Sequence, residues 1–332
     1  MSVAIIDIGS ARLKVTISIK EGNGYKLIQH KGETHLSSHV SKDNVLDEDF
    51  IYSSFTETLK MVNELITKNR CTRTVILGAH VFRTAKNSMK IADYIKGIIG
   101  EMTILEEWVE GALFYSKMKK QLNLENFIVV DLGGGSVQLS FGDKPNDVYS
   151  IPIGTFTLEK SFQSSKELTT LDEQEKMRSF IVSTFPDLTK KKFEFVVMGS
   201  NCMESFTSSA LDFANLKSDN ISFHDLSVIP LSSLEYIYSA IKDQRYDSLA
   251  SYYPENPFFM YGADKALLTL IELCRFLSLD KIFPTNESIS TSLLDFLHND
   301  SSKLSEYKIN VNYNNYNEPF SLLISNPDEL KA

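Results

Sequence analysis

Apolar and polar positions fall into two matched series along the chain. Residues 127–130 (FIVV) form a continuous apolar run, which predicts a fully buried strand. The run ends at Asp131 and is followed by Gly133, Gly134, Gly135 and Ser136; Val137, Gln138, Leu139, Ser140 and Phe141 then alternate as a half-buried strand does. The glycines therefore predict a tight turn between two strands, with a carboxylate at its mouth. The N-terminus repeats this pattern. Apolar residues 3–6 lead to Asp7, Ile8-Gly9-Ser10 makes the turn, and residues 14–19 alternate. A third strand-like run follows in each series, at 25–32 and at 148–153, with amphipathic helices and further strands after it.

Two copies of one order predict an α/β protein with a two-domain duplicated actin-like (ribonuclease H-like) ATPase fold, its acidic turns facing across an interdomain cleft. The domains are expected at 1–122 and 123–300, with 301–332 as a tail that is either an added strand or a loose end. Between the turns, residues 47–68 predict a helix, because Ile51, Phe55, Leu59, Val62 and Ile66 recur at three- and four-residue steps and Asp47, Glu48 and Asp49 suit its start. Residues 74–77 predict a buried strand, and a helix is expected from Asn87-Ser88 to Gly100. Arg83 then falls in the loop between them. A strand at 102–105 precedes a helix running through Lys120. Further on, the pattern predicts a helix at 171–185, a strand at 193–198 leading to a small-residue loop at Gly199-Ser200-Asn201, and helices over much of 202–278.

Composition narrows the function. No stretch approaches the roughly 18 apolar residues of a membrane span, and MSVAIIDIGS lacks a basic leader region. Cys71, Cys202 and Cys274 are scattered and odd in number, which suits reduced core residues of a cytoplasmic protein. A net charge of −9 argues against wholesale nucleic-acid binding and requires a local positive site for any polyanion. His30, His35 and His39 are assigned to a solvated polar loop.

The candidate chemistry gathers at the turns. Main-chain amides of a glycine turn can converge on an anion, and glycine reaches positive φ without a side chain to block a ligand. A neighbouring carboxylate is suited to a divalent cation rather than to the phosphate itself. Arg83 can grip phosphate oxygens bidentately. Glu106, Glu107 and Glu110 open a helix; they suit its dipole, or one of them projects as a base.

In this order the motifs resemble the exopolyphosphatase / guanosine pentaphosphate phosphohydrolase family. The resemblance is carried by Asp7-Ile8-Gly9-Ser10, by the segment from Gly78 through Arg83 to Asn87, by Val109-Glu110-Gly111, by Asp131–Ser136 and by Pro152-Ile153-Gly154. It implies a hydrolase that cleaves terminal phosphate from inorganic polyphosphate or a phosphorylated guanosine nucleotide. Ser10, Arg83, Gly133, Gly134, Gly135 and Ser136 would bind phosphate, Asp7 and Asp131 would organise Mg²⁺ (or Mn²⁺), and Glu110 would act on the attacking water. A homodimer is compatible with it; a nucleic-acid or membrane partner is not expected.

The chain departs from the family pattern at Ala11-Arg12, at Gln138, where a carboxylate is usual, and at Asn201-Cys202-Met203. No Arg-x-Asp is legible near Pro254–Gly262. These departures motivate a second reading, a regulator that binds a phosphate ligand with little turnover. A sugar or acetate kinase is a distant third.

Overall fold

The computed structural model describes residues 2–10, 12–22, 24–162, 171–199, 203–204, 206–208, 221–244, 246–253, 257–299 and 301–314. Two compact units result: residues 1–106 with 290–332, and residues 107–289.

In the first unit, β1 (Ser2–Ile8), β2 (Arg12–Glu21) and β3 (Gly24–Glu33) form an antiparallel meander. β1 is buried on both faces, with Ala4, Ile6 and Ile8 in one core and Val3 and Ile5 equally buried opposite them. That double burial is why its sequence is continuously apolar. His30 lies on β3, not in the loop expected for it, while His39 stacks on Phe50 with ring centroids 3.7 Å apart. The 47–68 segment is helical through α1 (Glu48–Phe50), a π turn at Ile51–Phe55 and α2 (Thr56–Lys68). Asp47 caps it by accepting from the amides of Asp49 and Phe50. β4 (Cys71–Gly78) then joins β1 in parallel. Next come a one-turn helix α3 (His80–Thr84), α4 (Ser88–Ile99) and β5 (Met102–Ile104), which is parallel to β4. Gly100 ends α4 at φ 114°, a left-handed conformation that demands glycine.

The second unit begins with α5 (Glu107–Leu122), followed by β6 (Phe127–Leu132), β7 (Val137–Ser140) and β8 (Val148–Ile151). α6 (Thr155–Phe162), α7 (Leu171–Ser183) and β9 (Phe195–Gly199) come next. Where helices are expected, β10 (Ile221–Phe223) and β11 (Leu226–Pro230) form a hairpin. α8 (Leu231–Ile241), α9 (Tyr246–Leu249), α10 (Ala263–Leu277) and β12 (Lys281–Thr285) complete the unit. α10 is buried on every side from Lys265 to Cys274, so it is the axis of this core. The division at 106/107 groups α5 with this unit because it packs on β6, β7 and β8.

The two sheets share one strand order, β3-β2-β1-β4-β5 and β8-β7-β6-β9-β12, and their strands run in matching senses. This is the duplicated actin-like arrangement. β7 alternates in sequence yet is buried throughout, because α5 covers the face bearing Ser140. After α11 (Ile289–Asn299) and α12 (Lys303–Glu306), β13 (Asn312–Tyr313) pairs antiparallel with β4, so the tail begins as an added strand. Residues 315–332 lie outside the described residues.

Cys71 and Cys274 are core thiols, and burial pushes both upward in pKa, Cys274 to about 12. Cys202 lies outside the described residues. Among the described residues no helix is long and apolar enough to cross a membrane.

Candidate active site

The two hairpins bend by one rule. In the first, Ile8 pairs with Leu13 and the Gly9 amide donates to the Arg12 carbonyl at 2.8 Å. In the second, Leu132 pairs with Val137 and the Gly133 amide donates to the Ser136 carbonyl at 3.0 Å. Each leaves a two-residue loop. A Cβ on Gly9 would lie 2.9 Å from the Arg12 oxygen, and one on Gly133 would lie 2.7 Å from the Ser136 oxygen. Glycine is thus required at both places by close approach. Positive φ, expected of the turn glycines, is instead found at Gly22 and Gly100.

In the first unit, Asp7, next to last in β1, stands directly opposite Lys14, whose ammonium lies 3.7 Å from its carboxylate. Motif reading passes over Lys14, although hairpin register places it opposite Asp7. Thr34 Oγ1 donates to the Gly9 carbonyl at 2.9 Å, and the Ser37 amide donates to the Ser10 carbonyl at 2.9 Å, so both flank the turn with fixed contacts. Ala11 lies outside the described residues.

Arg83 is on α3 rather than in a loop. The strand end at Gly78-Ala79 is tied to the first turn, because the Ala79 amide donates to the Ile8 carbonyl at 3.2 Å, and α3 follows at once. Arg83 Nη1 donates to the Leu105 carbonyl at 2.8 Å, which fixes one side of the guanidinium. β1 and β4 are parallel and end together, so Asp7, Ser10 and Arg83 lie at one end of the first sheet.

In the second unit, Asp131 is half-buried and pairs with Gln138 across the hairpin. Gln138 Nε2 donates to Ser136 Oγ at 2.8 Å, which occupies a lone pair and leaves the hydroxyl proton to donate elsewhere. Behind the turn, Gly154 packs so closely on the main chain of Gly134 and Gly135 that no Cβ fits, and the Thr155 amide donates to the Gly133 carbonyl at 3.1 Å.

α5 runs antiparallel to β6. Tyr115 stacks on Phe127 at 4.9 Å, and Gly111 rests on Ser140, which is paired with Val129. The first turn of α5 therefore lies toward the Asp131 end of the sheet. Glu107 and Glu110 are half-buried there, whereas Glu106 is exposed and pairs with Lys308 at 3.6 Å. Of the second-domain departures, Asn201 and Cys202 are outside the described residues and Met203 is fully buried. Asp264 stands at the start of α10, two residues after Gly262, in the region where no Arg-x-Asp was legible.

A sheet order used twice, with an aspartate-ended strand and a glycine-closed turn in each copy, defines a duplicated actin-like α/β protein. Residues 15–237 match the model of the Ppx/GppA phosphatase family. The match covers more than half of the chain, which therefore belongs to the Ppx/GppA phosphatase family. Solved structures agree in fold. A Ppx/GppA family member from Aquifex aeolicus is 22% identical, with a TM-score of 0.70 over 92% of this chain and 98% of its own. The type II variant of the Aquifex aeolicus Ppx/GppA phosphatase is 23% identical, with a TM-score of 0.67 over 89% of this chain and 98% of its own. An exopolyphosphatase from Cytophaga hutchinsonii is 14% identical, with a TM-score of 0.75 over 90% of this chain and 97% of its own. No curated protein matches the sequence.

Proposed function

We propose that this member of the family is an exopolyphosphatase-type phosphohydrolase, which removes the terminal phosphate of inorganic polyphosphate or guanosine pentaphosphate by in-line attack of water. The observation that carries the reading is the duplicated glycine-closed turn, in which a glycine amide donates to the carbonyl three residues on in both units. Phosphoryl transfer asks mainly for positioning and for charge to meet the equatorial oxygens. In this reading the turn at Gly133–Ser136 presents main-chain amides and the Ser136 hydroxyl to phosphate oxygens. Ser10 does the same from the first unit, and Arg83, held on one side by Leu105, supplies the positive charge. Glu110 orients the attacking water and accepts its proton.

The donor set at Asp131 fits a hard divalent cation. A half-buried carboxylate stands there with the Gln138 amide paired opposite it, and Mg²⁺ commonly takes one or two carboxylates and leaves its other positions to water and phosphate. Asp7 fits less well, since Lys14 already meets its charge. Mg²⁺ or Mn²⁺, when bound, would polarise the phosphoryl group.

One observation favours a second reading, a phosphate-binding regulator with little turnover: a neutral, buried amide stands at Gln138, across the hairpin from Asp131. Gln138→Glu separates the two. Without metal, a carboxylate at this buried position should destabilise the hairpin by about 1–3 kcal/mol, because it faces Asp131 and cannot donate to Ser136 Oγ as the amide does. With Mg²⁺ the two carboxylates share a cation and the melting temperature should rise; a rise in orthophosphate release as well would mean that weak metal binding limits the wild type, as the regulator reading holds. A variant with wild-type metal dependence would show that position 138 does not limit the site. The phosphohydrolase reading is tested by orthophosphate release from long-chain polyphosphate and from guanosine pentaphosphate. Release from neither, with Mg²⁺ or Mn²⁺, would refute it and leave the regulator.

A further inference from the structure

A fully buried lysine lies outside the residues assigned above. The Lys265 side chain on α10 is 1% exposed, and its ammonium sits 2.6 Å from Glu159 Oε2 on α6. It also donates to Asp264, at 2.9 and 3.1 Å. Burial raises the Asp264 pKa and Lys265 opposes that rise, so the lysine serves two desolvated carboxylates.

The pair lies one step from the phosphate turn. α6 starts at Thr155, whose amide is bonded to Gly133, and Gly154 just before it packs on the main chain of Gly134 and Gly135. The Gly154 carbonyl is held in turn by the Leu158 amide at 3.0 Å and by Thr157 Oγ1 at 2.7 Å. On the far side, Gly262 at the start of α10 packs on Thr155; a Cβ there would lie 2.6 Å from the Thr155 Cβ. Glu159 is four residues beyond Thr155, and Lys265 three beyond Gly262, so each belongs to the same helix face as its glycine or threonine contact. The helices thus touch at their starts and are tied by an ion pair one turn further in.

A buried ion pair is seldom justified by stability alone, because apolar replacements of similar volume are often as stable or more so. What it does enforce is a single separation and rotation of two helices. We propose that Glu159 and Lys265 are positioning residues for the Gly133–Ser136 turn: they lock α6 on α10 and so fix Gly154 behind the turn. Only the kinetic part of this inference rests on the proposed function.

The test combines residue-resolved amide exchange with kinetics on the whole protein. In Glu159→Gln the amides of Gly133, Thr155 and Leu158 are expected to exchange about tenfold faster, while Val129 and Val197 keep their wild-type rates. The KM for inorganic tripolyphosphate should rise about tenfold with a smaller change in kcat. Glu159→Leu with Lys265→Met and Asp264→Asn removes all three charges of the cluster and should recover the melting temperature while leaving exchange at the turn fast. Unchanged exchange at those three amides, an increase spread evenly over the unit, or wild-type exchange in the triple variant would overturn the proposal. Because exchange needs no substrate, it decides the positioning role even if the wild type proves unable to hydrolyse tripolyphosphate, a result that would count against the proposed function alone.

Discussion

Glu110→Gln is expected to lower orthophosphate release from polyphosphate by about 10²–10⁴-fold, the usual range for loss of a general base. The change keeps the size of the side chain and removes its proton acceptor. The apolar contacts of α5 through Val109, Gly111, Leu113 and Phe114 are left in place by it. A steady-state phosphate assay checks the rate, and the melting temperature checks the fold. A drop in rate with unchanged KM would place the loss in the chemical step. Wild-type release would move the base to Glu107, the other half-buried carboxylate of that helical turn.

The second large effect is expected at Gly154. A methyl group there would overlap the main chain of Gly134 and Gly135, which cannot rotate away as a side chain could. Gly154→Ala should therefore push the second turn out of place, and a misplacement of about 1 Å can cost on the order of 10²-fold in rate. Overpacking of this kind also destabilises by about 1–3 kcal/mol. Urea denaturation and kcat/KM together check it. Loss of rate well beyond the loss of stability is the expected signature. An active, equally stable variant would mean that the turn is not held by the close approach of Gly154.

Much of this was legible in the residues, and the misses have physical causes. The strands ending at Asp7 and Asp131 stood out because burial on both faces forces unbroken apolar runs. Helix ends at Asp47 and Gly100 were readable because cap chemistry is local. The β10–β11 hairpin was not. Its two-residue turn is His224-Asp225, both at positive φ (48° and 61°), where Asn-Gly would have given the signal. β12 was hidden by Pro284, tolerated because β11 pairs only with Lys281 and Ile282 and leaves that stretch without a neighbour on its side. β7 looked half-buried because periodicity does not report that α5, from elsewhere in the chain, covers its polar face. The helix that carries Arg83 has no sequence signal, because one turn is too short to leave a periodic trace.

At the site, both turns and Gly154 could be named from sequence, because glycine spacing reflects close main-chain approach. Lys14 and the Glu159–Lys265 pair could not be singled out in that way. Lys14 is defined by register across a hairpin, and the pair by packing between helices about a hundred residues apart in sequence.

The central claim is that the main-chain amides of both turns bind phosphate. Amide NMR of the wild-type protein, titrated with inorganic tripolyphosphate in the presence of Mg²⁺, tests it most directly. The account predicts saturable shifts at Gly134, Gly135 and Ser136 and at Ser10. Shifts confined to exposed lysines, or turn amides that stay unmoved while phosphate is released, would contradict it.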